Sequence, residues 1–116
     1  MKANEQEFRI KNWVRLHVNH SDYNEFQIEI EDLVLMAKSK QHQYSPIPLT
    51  EEWLKKFGFS LKRHYYTKKH YGALKILLHE DGIRILVLGL NIDHIKHVHE
   101  LQNLFRFLFG EELTIK

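Results

Sequence analysis

Residues 73–90 read ALKILLHEDGIRILVLGL: two apolar arms, Ala73–Glu80 and Ile83–Leu90, divided by Asp81-Gly82. An Asp-Gly pair between two strand-like arms is a short-range hairpin signal, because tight hairpin turns need the positive φ that glycine adopts without cost. The second arm is almost unbroken in its apolarity, which places it centrally in a sheet. This hairpin makes the fold an antiparallel β structure, and the rest of the chain is read outward from it.

Immediately upstream, Phe59–Tyr66 reads as a strand with Phe59, Leu61 and Tyr65 on one side, followed by a basic turn over Thr67–Gly72. Further back, Thr50-Glu51-Glu52-Trp53-Leu54-Lys55-Lys56-Phe57-Gly58 carries both signals of a short helix. Thr50 can cap its start, acidic residues sit at the positive end of the dipole and basic ones at the negative end, and Gly58 suits the left-handed position after it. Leu49, Trp53, Leu54 and Phe57 form its apolar face. The polar stretch Lys38–Ser45 reads as a loop ended by Pro46 and Pro48.

Near the start, Phe8–Val18 reads as a strand with a bulge at Lys11–Asn12, and Asn19–Asn24 as a turn. Phe26, Ile28 and Ile30 alternate with Gln27, Glu29 and Glu31, the pattern of a half-buried strand. At the other end, Ile95, Val98, Leu101, Leu104, Phe105, Leu108 and Phe109 recur at helical spacing, with Asp93 as a cap and Gly110 as a stop. The expectation is an α+β fold: an antiparallel sheet of about five strands, with a short middle helix and a longer C-terminal helix packed on one face.

The 116 residues suit one domain, 1–116, able to bury roughly two-thirds of its unfolded surface without staples. The chain has no cysteine, which excludes disulfides, thiolate metal sites and cysteine nucleophiles and fits a reducing cytoplasm. MKANEQEFRIKNW has no apolar core of a signal peptide, and the apolar runs are too short to span a bilayer, so no membrane association is expected.

Net charge is only +2, but it is unevenly spread. Between Leu16 and Ala37 the charged residues are all acidic: Asp22, Glu25, Glu29, Glu31 and Asp32. Between Trp53 and Lys75 they are all basic: Lys55, Lys56, Lys62, Arg63, Lys68, Lys69 and Lys75, interleaved with His64, Tyr65, Tyr66, His70 and Tyr71. Lysine and arginine neutralise phosphates and tyrosines stack on unpaired bases, so this segment is the candidate surface for RNA or a partner. It reads equally as a solvated strand and loop whose tyrosines close a core edge. The acidic strand can meet a basic partner, or simply form the outer face of an antiparallel sheet.

Asp93, His94, His97 and Glu100 have helical spacing that could hold a divalent ion, yet they lack an HExxH pattern and stand among positive neighbours, so no metal or other cofactor is assigned. The expected arrangement has His99 hydrogen-bonded near the core, with His94 and His97 facing solvent. No nucleophile elbow, P-loop or dinucleotide fingerprint occurs, and Ser60, His64 and Asp81 form a triad only on paper. No catalytic residue is assigned, and the chain is read as a binding protein, not an enzyme.

The run Pro46–Phe59 (PIPLTEEWLKKFGF) resembles the PIPLTEEWLxxFGF signature of small uncharacterised proteins from Bacteroidota genomes, phages and prophages. Val98–Phe105 (VHELQNLF) with Gly110–Thr114 (GEELT) resembles the ending of the same group. Arg9-Ile10-Lys11-Asn12-Trp13-Val14 loosely matches its opening, with Lys11 where the group has glycine. The resemblance implies no catalytic residue. Its shared positions, Trp53, Phe57, Gly58, His99, Leu101, Gln102 and Leu104, have the character of caps and core. It implies a mobile-element protein acting in the host cytoplasm, with an anti-CRISPR inhibitor of a type VI-B RNA-cutting effector as the leading identity and the effector nuclease, its guide RNA, or both as partner. A general RNA-binding or adaptor module and a self-assembling phage protein, joined through its C-terminal helix, are the alternatives.

Overall fold

The computed structural model describes residues 9–17, 23–29, 44–79, 82–92 and 94–115. They form an α+β protein with two antiparallel sheets and two helices among the described residues. The strands are β1 (Trp13–His17), β2 (Tyr23–Gln27), β3 (Tyr44–Pro46), β4 (Ser60–Lys62), β5 (Tyr65–Thr67), β6 (Leu74–His79), β7 (Gly82–Val87) and β8 (Leu90–Ile92). The helices are α1 (Glu51–Lys56) and α2 (Val98–Phe109). The chain divides into two compact units, one of residues 1–48 and 97–112, the other of 49–96 and 113–116.

The first unit holds the sheet β2-β1-β3 and helix α2. Trp13 pairs with Gln27 and His17 with Tyr23 on one side of β1, and Val14 with Pro46 on the other. Tyr44–Pro46 is therefore a strand, where the sequence reads as loop up to Ser45. Pro46 is accommodated at the strand's end, on an edge, where its missing N–H breaks no ladder. The expected bulge at Lys11–Asn12 is a turn, with Lys11 at φ 79°.

Val14, Ile28, Ile47, Val98, Leu101 and Phe105 form the apolar core of this unit. Gln102 of α2 is fully buried beside them and satisfied at both ends. Its Oε1 accepts the Trp13 N–H at 2.8 Å, and its Nε2 donates to the Lys11 carbonyl at 2.8 Å. Buried Asn12 accepts the Arg9 N–H at 2.7 Å and donates to Asn103 Oδ1 at 2.9 Å, while the Arg9 guanidinium meets Glu112 at 2.6 Å and the Gln102 carbonyl at 3.2 Å. A buried amide with both ends bonded is tolerated in a core, whereas a half-satisfied one is not. This latch joins the turn before β1 to α2.

Helix α2 begins at Val98, with His97 as N-cap. The His97 N–H donates to Glu100 Oε1 at 3.0 Å. Asp93, the expected cap, lies outside the described residues. Gly110, at φ 70°, ends the helix as its sequence position suggests. His99 is fully buried, as expected of a residue near the core, and its ring stacks with that of His97 at 5.8 Å.

The second unit holds α1 and the sheet β4-β5-β6-β7-β8, each strand antiparallel to the next. Thr50 caps α1 by accepting the Trp53 N–H, and Gly58 follows its end at φ 90°. Leu49, Trp53, Leu54 and Phe57 are all buried, as the apolar face of α1 requires.

The five strands come entirely from residues 60–92, so the opening strands β1 and β2 are not part of this sheet. Two turns not expected from the sequence account for the extra strands. Arg63, at φ 58°, breaks Phe59–Tyr66 into the β4–β5 hairpin. Leu88 (φ 52°) and Gly89 (φ 85°) give a two-residue turn with both central residues left-handed, which ends the apolar arm at Val87 and folds Leu90–Ile92 back beside it. The expected β6–β7 hairpin is present. His79 pairs with Gly82, so Gly82 is the first residue of β7 and not part of the turn. Among the described residues no helix is long and apolar enough to cross a membrane.

Candidate nucleic-acid interface

Strand register sorts the side chains of the second unit onto two faces, because paired residues share a face and neighbours along a strand alternate. Leu61 pairs with Tyr66, Tyr66 with Ile76 and Ile76 with Ile85. This face carries the buried residues Tyr66, Leu74, Ile76 and Ile85 and receives α1, whose Glu51 carboxylate accepts the Tyr66 hydroxyl hydrogen. The opposite face presents Ser60, Lys62, Tyr65, Thr67, Lys75, Leu77, His79, Arg84, Leu86 and Asn91. It has three cations, half-buried Tyr65 and two half-buried leucines, with no Asp or Glu among its described strand residues.

On this open face Lys62 pairs with Tyr65 across β4 and β5. The Lys75 ammonium lies 4.9 Å from the Tyr65 ring centroid, and His64 meets the ring edge-on at 5.9 Å. An exposed cation–π contact is worth about 0.5–1 kcal/mol. Stacking a base on an aromatic ring is worth about 1–3 kcal/mol, enough to displace the ammonium towards a phosphate. At the β4–β5 end of the face, Ser60, Lys62, Thr67, Lys68, Lys69, His70 and Gly72 line a groove of about 480 Å³.

The twelve residues picked out by sequence are thus divided. Lys62, Arg63, His64, Tyr65, Lys69, His70 and Lys75 lie on the open face, its hairpin tip or the groove, with Tyr71 half-buried in the following loop. Lys55 and Lys56 sit on α1, over the covered face: Lys55 Nζ is 3.7 Å from Glu51, and Lys56 Nζ is 4.4 Å from the Trp53 ring. Tyr66 is buried with its hydroxyl engaged, so it cannot act as a stacking platform. Lys68 is half-buried and donates to the Phe57 carbonyl at 2.7 Å, which makes it a cap on the negative end of α1 as well as a wall of the groove.

The expected side, with Phe59, Leu61 and Tyr65 together, is not formed. The hairpin at Arg63-His64 reverses strand parity, which leaves Leu61 56% exposed at the edge and turns Tyr65 to the open face. His79 and Arg84 join the site from β6 and β7, and no local run in the sequence marks them.

The acidic candidates behave differently. Glu25 lies opposite Arg15 and pairs with it at 3.4 Å, and Glu29 meets Lys11 at 3.4 Å. Arg15 also covers the Tyr23 ring at 4.1 Å. The Arg15–Glu25 pair is a cross-strand contact of the β1–β2 sheet, and the Lys11–Glu29 pair is an exposed contact beside it. Asp22, Glu31 and Asp32 lie outside the described residues.

His94 precedes α2, so the three-residue helical spacing of His94 and His97 does not arise, and His97 is half-buried against Glu100 at 3.0 Å where a solvent-facing ring is expected. Among the described residues no cluster of three His, Cys, Asp or Glu is placed to hold a metal ion. Asp81, third member of the paper triad, lies outside them. No protein family, curated protein or solved structure matches the chain.

Proposed function

We propose that this chain is a non-catalytic protein that binds single-stranded RNA on the open face of its five-stranded sheet. The observation that carries the reading is the composition of that face: Lys62 and Lys75 beside Tyr65, Arg84 further across the same face, and no carboxylate among its described strand residues. Exposed bases stack on an aromatic platform while cations track the backbone, and a flat sheet offers both along one path.

The RNA is the guide carried by an RNA-guided RNA-cutting nuclease, which the protein inhibits in the bacterial cytoplasm. This sharper form rests on the family resemblance together with the basic face. The test is a pull-down of tagged protein from cells expressing such a nuclease, with and without RNase, followed by cleavage assays with purified components. Nuclease recovered with its guide and loss of cleavage at saturating protein support the inhibitor. Recovery of bulk RNA alone supports a general RNA-binding module, and recovery of neither RNA nor nuclease removes the reading.

A further inference from the structure

The groove at the end of the open face has the donor set of an anion site. Lys62 from β4 and Lys69 from the loop after β5 bring ammonium groups, Ser60 and Thr67 bring paired hydroxyls across β4 and β5, and His70 adds a ring nitrogen. Among the described residues no Asp or Glu lines it. The loop backbone is held in an uncommon conformation at this point, with His70 at φ 74°. Left-handed non-glycine residues are sparse and cluster where a site fixes the chain. Gly72 leaves the wall open, because a Cβ there would meet no atom within 4 Å.

A volume of about 480 Å³ exceeds what one phosphate needs and admits a phosphate with its sugar. Lys62 also lies directly across from Tyr65, so a nucleotide in the groove puts its neighbour's base within reach of that ring.

We infer that this groove is a nucleotide-phosphate subsite: Lys62 and Lys69 neutralise the phosphate, the Ser60 and Thr67 hydroxyls donate to its oxygens, and the next base stacks on Tyr65. The inference deepens the RNA reading and rests on it for the adjoining base, but the phosphate step has its own readout. Internal and terminal phosphates share this chemistry, and comparison of 5′-phosphorylated with 5′-hydroxyl oligonucleotides separates them.

The test uses the full chain in three versions: wild type, Lys62→Gln/Lys69→Gln, and Gly72→Asp. Gly72 has neither positive φ nor a close neighbour, so Gly72→Asp puts a carboxylate into the groove without backbone strain. The first probe is a short single-stranded RNA titrated over a salt series. A phosphate subsite weakens binding about tenfold in both variants and lowers the salt slope of the double variant by about one. Wild-type binding with an unchanged slope in the double variant overturns the groove while leaving the RNA reading in place.

The second probe is adenosine monophosphate, followed through the amide resonances of Thr67, Lys69 and His70. Saturable shifts that vanish in both variants support the subsite even if the RNA oligonucleotide does not bind. Absence of shifts together with absence of RNA binding overturns both readings.

Discussion

The phenol of Tyr66 donates its hydrogen to the carboxylate of Glu51, joining β5 to the first turn of α1. That bond pushes the Tyr66 hydroxyl up to about 12, because losing its proton would set a phenolate beside a carboxylate in a desolvated place. It also holds the Glu51 carboxyl below its ordinary range, helped by the charge of Lys55.

The pH dependence follows from these two directions. An unfolded tyrosine loses its proton near pH 10, whereas Tyr66 in the fold keeps it until about pH 12. Stability is fully present below the lower value and is lost as pH rises between the two. Glu51 acts at the other end: its contribution is present above the ordinary carboxylate range and is lost as pH falls through its lowered folded value. Tyr66→Phe keeps the ring and should flatten the alkaline limb in denaturation series across pH 9–13 (about one unit either side of the two values). A limb of unchanged steepness in that variant would assign it to another group.

Lys11 stands at φ 79°, in the left-handed region where any side chain is strained and glycine is not. Its backbone does the structural work: the N–H donates to the Ile28 carbonyl at 2.7 Å, and the carbonyl accepts from Gln27 and Gln102, each at 2.8 Å. Among the described residues the side chain contributes only an exposed contact with Glu29, worth little. Lys11→Gly should therefore raise stability by about 0.5–1 kcal/mol, read from the urea midpoint at unchanged slope. A lower midpoint would mean that unfolded-state entropy or the Glu29 pair outweighs the strain.

Lys68 and Lys69 are neighbours with separate duties. Lys68 caps the Phe57 carbonyl, so Lys68→Glu removes a bond and sets a negative charge at the negative end of α1, at a cost of about 1–2 kcal/mol. Lys69 is exposed in the groove wall, so Lys69→Glu should leave the melting temperature nearly unchanged and weaken RNA binding. Equal destabilisation by the two substitutions would contradict this division.

Much of the architecture was legible where one residue type has one local meaning. Thr50 and Gly58 bracket α1, Gly110 stops α2, and the two apolar arms on either side of Asp81-Gly82 pair as β6 and β7. Legibility fails where turns use residues that give no signal. Lys11, Arg63, His70 and Leu88 all hold positive φ without being glycine, and the extra strands β5 and β8 follow two of these turns. The site suffers from the same blindness. A basic aromatic run is visible in sequence, but its inward and outward members depend on the hairpin parity set at Arg63-His64, which buries Tyr66 and exposes the face of Tyr65. Arg84 reaches that face only through sheet pairing, opposite Leu77.

The most direct test of the RNA-binding claim is the affinity for a labelled single-stranded RNA of arbitrary sequence, measured across a salt series for wild type and for Lys62→Glu/Lys75→Glu/Arg84→Glu. With Lys62 and Lys69 sharing one phosphate and Lys75 and Arg84 each neutralising another, the logarithm of affinity should fall against that of salt with a slope of about −2, and the triple variant should lose binding while keeping its melting temperature. Salt-independent binding, or equal binding by a folded triple variant, would contradict the open sheet face as the RNA surface.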